Sequence, residues 1–525
     1  MSAFPWGQMA TELWLAGLGL VMLTADCLLS PRRGHWLGWL GLAGLLAAFV
    51  PAAGGCETSC ANPALFGGLY MADHFLSFFR IFAVLQGVLV TLLSLDYLEH
   101  IRVDRGVYFT LLIFATLAMI LLAGANDLVM IYLSVEFLSI TSYILAGFLL
   151  GADKAHLGEI KRSAEASLKY LIYGAVASAV MLYGFSLMYG LAGGTDLTRI
   201  AATFGQPGNE LVKLLAVALA LVGLGFKVSA VPFHQWAPDV YEGAPTPVTA
   251  LLAVGSKGAA FALLARVMIL GLGGFQGHWS SLLAIIAVAT MFTGNLLALV
   301  QSNFKRLLAY SAIAHAGYML VALVCDDPEH HRGVQALLIY LMAYLLMTLG
   351  TFAFVIWYQR QTGSENIEDY AGLAGRDAPM AVVLSILMLS LTGIPPTAGF
   401  IGKLHILLCT ANPQWWWLGA VVVINSVISL YYYWNVARLM WLVEPTVEFK
   451  PRRTLCTPAV VWFCGLLTLG LGLQFEPLLS VSDAPLAPFA GEAALTRRGS
   501  HHRPRRHGAA PTPPSERPPT AAETE

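Results

Sequence analysis

Apolar residues run through this chain in long blocks separated by short polar clusters. A helix crossing a bilayer core takes about 20 mainly apolar residues. Fourteen stretches meet that length: roughly 12–29, 36–52, 74–95, 107–124, 126–150, 166–191, 211–231, 246–270, 280–301, 306–324, 334–359, 379–409, 416–443 and 455–474. The pattern predicts an all-α polytopic membrane protein. Two stretches carry interruptions of their own. The twelfth is overlong and contains Thr392-Gly393-Ile394-Pro395-Pro396, and the seventh ends in Lys227-Val228-Ser229-Ala230-Val231-Pro232. Glycine and proline oppose helix continuation, so both are expected to be broken helices. Unwound backbone at membrane depth is tolerated only where protein or a water-filled cavity satisfies it. The two breaks lie five segments apart. An odd number of helices per unit reverses direction, so segments 4–8 and 9–13 are expected to form two inverted five-helix repeats. The expected organisation is three N-terminal helices (1–105), a first repeat (106–275), a second repeat (276–445), a fourteenth helix (446–480) and a disordered tail rich in Pro, Arg and His (481–525).

Composition narrows the class further. Of 525 residues, 57% are hydrophobic and 12% charged, about half the charge of a typical soluble domain. That supply cannot cover three or four soluble domains. A net charge of −1 excludes a nucleic-acid binder working through a basic surface. The seven cysteines are too sparse for a disulfide scaffold and lack the paired spacing of zinc or iron–sulfur sites. The N-terminal MSAFPWGQMATELW has no basic region of the kind that opens a cleavable signal peptide, so the first apolar run is expected to be retained.

The basic residues then give an orientation. With the N-terminus outside, sixteen lysines and arginines fall in loops on the cytoplasmic side, against only Arg199, Lys213 and Arg332 on the other. Such an imbalance is what the positive-inside rule requires, and one missed helix would scramble it. An even count puts both termini outside, periplasmic in a bacterial inner membrane. Cys56 and Cys60, in one outer loop, then face an oxidising compartment, where they can pair or stand as two free thiols. The tail carries six arginines on that same side. It is expected to be solvated, with metal or anionic lipid as the alternative partner.

Five basic residues remain inside spans: Arg80, Lys227, Lys257, Arg266 and Lys403. Arg80 and Arg266 lie near span ends, where long stems are expected to snorkel to the interface. The lysines lie deeper, and Glu136 is the one carboxylate at comparable depth, Asp26 and Asp127 being near span ends. Each charge at a helix centre costs about 2.5–3.5 kcal/mol on insertion scales. A structural ion pair would account for two of the four at most. Lysine, unlike arginine, changes its protonation readily when buried, so this group points to proton relay. Tyr132, Glu136, Ser139 and Tyr143 form a polar stripe along segment 5, and Ser311, His315 and Tyr318 form one along segment 10. His315 is either a packed, hydrogen-bonded histidine or, with Tyr310, a candidate relay member.

Four stretches carry a resemblance: YLSVEFLSITSYILAGF (132–148), GFKVSAVPFHQWAPDVYEGAPTPVTALLAVGSKGAA (225–260), RLLAYSAIAHAGYMLVAL (306–323) and LTGIPPTAGFIGK (391–403). They resemble the antiporter-like membrane subunits of proton-pumping NADH–quinone oxidoreductase, respiratory complex I, over about residues 10–475. WAPDVYEGAPTPV is closest in wording to the subunit N branch, with plastid-type and cyanobacterial counterparts nearby. Glu136 matches the family's segment-5 glutamate, Lys227 the lysine paired with it, Lys257 the central lysine of segment 8, and Lys403 the segment-12 residue. A lysine at that last position fits the N branch, not the M branch, where glutamate is usual. The resemblance also implies fourteen helices. The basic, Pro-rich tail departs from the family pattern.

The resemblance implies a path in which a proton enters from the cytoplasm near Lys227, passes Lys257 and leaves near Lys403, with changes in the Glu136–Lys227 contact gating the steps. The chain has no dinucleotide fingerprint, cluster-spaced cysteines or haem pattern, so no cofactor is expected in it. NADH, FMN, iron–sulfur clusters and quinone are implied for partner subunits, namely an adjacent antiporter-like subunit and small membrane subunits of the same arm. Two other readings stay open: a sodium/proton antiporter subunit, stand-alone or multisubunit, and a non-catalytic scaffold.

Overall fold

A computed structural model describes residues 6–28, 35–54, 63–101, 103–153, 157–449, 454–483 and 486. Cys56, Cys60 and the tail beyond 486 lie outside the described residues. Each of the fourteen expected spans has its helix: α1 (Ala10–Leu28), α2 (His35–Gly54), α3 (His74–Tyr97), α4 (Arg105–Gly124), α5 (Leu128–Ala146), α6 (Leu157–Ala192), α7 (Glu210–Val228), α8 (Thr246–Gly271), α9 (Gln276–Ala298), α10 (Phe304–Val324), α11 (Arg332–Thr362), α12 (Ala378–Thr392 and Ala398–Cys409), α13 (Trp416–Leu442) and α14 (Cys456–Leu473). Thirteen are long and apolar enough to cross a membrane singly. The two halves of α12, 15 and 12 residues long, need each other to do so.

Polar residues at the helix starts fix the boundaries. Asp73, Asp104, Asp127, Asn303 and Asp377 each accept a backbone N–H from the first turn of α3, α4, α5, α10 and α12, satisfying donors that a helix start leaves open. Four short elements have no counterpart in the sequence reading: a hairpin (β1, Ala64–Leu65; β2, Tyr70–Met71) and helices at Leu197–Phe204, Trp236–Gly243 and Glu476–Asp483. The last packs Leu478 with Ile339 and Ile401.

Helices α8, α10 and α11 are almost wholly enclosed, whereas α1, α6, α13 and α14 turn much of their surface outward. The outward residues are apolar, such as Leu171, Ile172 and Val176 on α6 and Val423, Val427 and Tyr431 on α13. A soluble protein would place polar side chains there, so lipid or a neighbouring membrane protein is the natural contact.

Both interruptions are hydrogen-bonded within the protein. At the end of α7, Ser229 adopts the left-handed conformation at φ +61, and Ser229 N and Ala230 N donate to Phe226 O and Gly225 O. In α12, Gly393 has φ +89, and its N–H and that of Ile394 close onto Leu389 O. The second half starts with Gly399 N donating to Ser390 Oγ. A third irregularity was not expected. Within α8, π-helical turns at Leu252–Ser256 and Arg266–Gly271 flank the regular stretch Lys257–Ala265, an irregularity common at functional positions.

The two arginines expected to snorkel do not. Arg80 and Arg266 are 1% and 0% exposed. Arg80 pairs with Glu12 of α1 at 2.7 Å, and the Tyr70 hydroxyl also donates to that carboxylate at 2.8 Å. Arg266 pairs with Asp73 at 2.7 Å and donates from Nε to Ala123 O at 2.6 Å. Carboxylates from helices distant in sequence meet them inside the bundle, so neither stem has to reach water. Lys213, assigned to an outer loop, is likewise buried, with its ammonium 5.9 Å from the ring centres of Phe204 and Phe275.

Candidate functional site

The three deep lysines are 3% (Lys227), 0% (Lys257) and 5% (Lys403) exposed. None forms an ion pair among the described residues. Lys227, next to last in α7, has no hydrogen-bond partner for Nζ. The carboxylate of Glu136 exerts a charge on it but accepts its hydrogen bond from the Ser178 hydroxyl of α6. A buried ammonium without a partner calls for water beside it.

Lys257 opens the regular stretch of α8 between the two π-helical turns. Its Nζ donates to Ala312 O of α10 at 2.9 Å and lies 6.0 Å from the Tyr241 ring centre. Lys403 reaches back across the α12 break to Thr392 O at 2.7 Å and Leu391 O at 3.3 Å. These carbonyls end the first half-helix, where the helix dipole is negative and a cation is welcome. The face of Tyr318 completes the seat, with its ring centre 4.7 Å from Nζ. Gly393 lies so close that a Cβ there would stand 2.7 Å from Lys403 Cδ.

His315 stands on α10 between Ala312, which receives Lys257, and Tyr318, which lies under Lys403. Nδ1 meets the Tyr340 hydroxyl at 2.5 Å and Nε2 the Tyr433 hydroxyl at 3.2 Å; Tyr433 also bonds to Ser311. The stripe expected on α10 therefore acts as one surface: Ser311 and His315 engage Tyr433, Ala312 receives Lys257, and Tyr318 carries Lys403. On α5, Ser139 bonds back to Val135 O of its own helix and also neighbours Tyr143, which packs edge-on against Tyr170. Tyr310 is half-buried and no hydrogen bond joins it to the network; Arg306 is the charge beside it.

Sequence reasoning missed Ser178, Tyr241, Tyr340 and Tyr433. Serines and tyrosines are frequent in apolar helices, and only side chains converging from α6, α11, α13 and the short helix Trp236–Gly243 mark these four. On the side expected to be cytoplasmic, Asp239 pairs with Lys169 and Arg306 at 2.7 and 2.8 Å, and Arg306 also pairs with Glu242. They line a 190 Å³ cavity with Arg162 and Glu165. Trp236 stacks on Tyr170 at 4.4 Å and donates to Phe226 O at 2.9 Å, placing an aromatic layer beside the residue that precedes Lys227. Among the described residues, no three His, Cys, Asp or Glu side chains gather where a metal ion could be held.

The family described as NADH:quinone oxidoreductase/Mrp antiporter, TM, matches residues 125–429. NADH-quinone oxidoreductase subunit N of Moorella thermoacetica is 40% identical over 93% of this chain and 98% of its own length. A chain of respiratory complex I from Thermus thermophilus superposes with a TM-score of 0.74 at 33% identity, covering 90% of this chain and 99% of that one. A chain of the Mrp complex from Dietzia superposes at 0.78 with 20% identity, over 94% and 99% of the two chains; at that identity the likeness is one of fold alone.

Proposed function

The chain belongs to the subunit N family of NADH-quinone oxidoreductase, within the NADH:quinone oxidoreductase/Mrp antiporter membrane proteins, and on that footing we propose that it carries protons across the membrane through Glu136, Lys227, Lys257, His315 and Lys403. One observation carries this reading: three lysines stand enclosed in the bundle with no carboxylate in contact among the described residues, and two of them seat on α10 at Ala312 and Tyr318, on either side of His315. A chain built only for stability gains nothing from uncompensated ammonium groups in that position.

The cycle runs as successive proton transfers between nitrogen bases. A proton from the cytoplasmic side, taken up beside the charged cavity at Asp239, reaches Lys227 when its amine is neutral. It passes to Lys257, across the imidazole of His315 to Lys403, and out to the opposite side. Glu136 gates the first step: drawn toward Lys227 it holds the proton there, and held by Ser178 it lets the proton go. The direction follows the family. Energy comes from NADH oxidation and quinone reduction in partner subunits, whose NADH, FMN, iron–sulfur and quinone sites this reading assigns elsewhere. The partners are other complex I membrane-arm subunits, and the location is the bacterial inner membrane with both termini outside. The shared interruption of α7 and α12 supports inverted repeats of α4–α8 and α9–α13.

The test is the alanine variant of Lys227 in the fully assembled enzyme, reconstituted in proteoliposomes. Translocation should fall while NADH oxidation by detergent-solubilised partners persists; normal pumping would overturn the relay. Glu136→Ala should weaken coupled pumping less severely, because Lys227 loses its gate but remains. Gly393→Ala supplies an independent check. Its added Cβ enters the space of Lys403 Cδ, and the left-handed φ costs about 1 kcal/mol. Assembly should survive while protons moved per NADH fall severalfold. Sodium-dependent proton exchange by the purified chain alone would favour the antiporter reading instead.

A further inference from the structure

Asn295 of α9 is wholly buried, on a helix that contributes nothing to the relay described above. Its amide is nonetheless saturated. Oδ1 accepts from the Tyr432 hydroxyl at 3.0 Å, and Nδ2 donates to the Tyr318 hydroxyl at 3.2 Å and to Asn425 Oδ1 at 3.0 Å. Asn425 is held in turn by donating from its own Nδ2 to Val421 O at 3.0 Å, which fixes the amide so that its oxygen faces Asn295. One side chain thus joins α9, α10 and α13.

Both residues it grips lead to relay members. Tyr318 presents its face to Lys403 and meets the His315 ring nearly at right angles, with 5.7 Å between ring centres at 77°. Tyr432 packs 4.3 Å from Tyr433 between ring centres, and Tyr433 bonds to His315. A leucine would fill the site with less desolvation, since a buried amide is tolerated only when every bond is made. What the amide adds is a fixed place for the Tyr318 hydroxyl, and so for the ring behind it. An aromatic face attracts an ammonium far more than a neutral amine, so the position of that ring bears on whether Lys403 holds or yields a proton.

We propose that Asn295 is a positioning residue for proton transfer at Lys403, anchoring Tyr318 so that its ring stays seated under the ammonium and beside His315. The inference rests on the relay reading above.

The experiment uses the whole enzyme in proteoliposomes and measures protons translocated per NADH oxidised. Asn295→Ala should lower that ratio about fivefold, the effect of the one buried hydrogen bond that Tyr318 loses. Tyr318→Phe, which keeps the ring but removes the anchored hydroxyl, should give a similar loss and is a mild change for folding. Combining the two should give no loss beyond that of Tyr318→Phe alone, because Asn295 acts through the hydroxyl that phenylalanine lacks. Asn295→Gln, which keeps the amide, should recover most of the ratio, and Asn295→Leu should not. Additive losses, a normal ratio in Asn295→Ala or Tyr318→Phe, or recovery by leucine equal to that by glutamine would each overturn the proposal. Lys403→Met separates the two levels: a normal ratio there overturns the relay itself, whereas a loss there beside a normal Asn295→Ala overturns only the anchoring.

Discussion

Lys257→Met is expected to abolish proton translocation and leave the protein folded and assembled. The two halves of that outcome have separate causes. Lys257 is enclosed on all sides, and its single bond is to a backbone carbonyl of α10. Methionine has nearly the same length, fills the same buried space, and removes a charge that costs about 2.5–3.5 kcal/mol at membrane depth. Volume-conserving exchanges in a packed core usually cost less than about 1.5 kcal/mol, so stability should hold or rise. Function should not survive, because no other protonatable side chain in this reading stands between Lys227 and His315. Losing a positioned proton carrier costs on the order of a hundredfold or more. Lys257→Arg sharpens the test. Arginine keeps the positive charge but does not release its proton. If Lys257 serves only as a fixed charge, the arginine variant pumps; if it relays protons, arginine fails as methionine does. Quenching of a pH-sensitive dye in inverted vesicles, set against the amount of assembled enzyme on native gels, reads both. An assembled methionine variant pumping at the normal rate would sink the relay.

Arg266→Met, nine residues along the same helix, is expected to do the opposite and prevent stable assembly. Arg266 is as buried as Lys257, but it is paired. It bonds to Asp73 and to Ala123 O, and its guanidinium lies over the Phe75 ring at 5.0 Å. Removing it strands the Asp73 carboxylate in the bundle, and breaking a buried pair on one side costs about 3–5 kcal/mol. Asp73 is also the N-cap of α3, so the damage reaches the N-terminal helices. Replacing both partners should rescue: Asp73→Asn keeps an oxygen for Leu76 N while removing the charge, and with Arg266→Met it should restore most of the assembled enzyme. The check is the amount and thermal stability of the purified complex. A single Arg266→Met variant that accumulates and melts like the parent would show that the pair contributes nothing.

The contrast between Lys257 and Arg266 marks what could be read in one dimension. Both appear in the sequence as a basic residue in an apolar run, and the sequence places Arg266 near a span end, which suggested a solvent-reaching stem. The difference lies in Asp73, which belongs to the cap of another helix nearly two hundred residues away. The same holds for Glu12 and Arg80. Spacing along α10 put Ser311, His315 and Tyr318 on one face, and they do share one. Spacing along α5 puts Ser139 beside Tyr143, and Glu136 takes its hydrogen bond from Ser178, which arrives from α6. Tyr310 sits beside the stripe with no bond to it, while Tyr340 and Tyr433 arrive from α11 and α13.

The sequence by itself determined the fourteen spans, the two interrupted helices and the lysines set too deep for a solvated role. These follow from hydropathy and from glycine and proline in apolar runs, properties of the local chain that survive any arrangement of helices. Only the tertiary structure decided which buried charges are compensated and which are not. Compensation depends on partners brought together within a few ångströms, and local sequence carries no measure of that distance. By that criterion Arg80 and Arg266 brace the bundle, while Lys227, Lys257 and Lys403 have no carboxylate partner among the described residues, the condition the proposed relay requires.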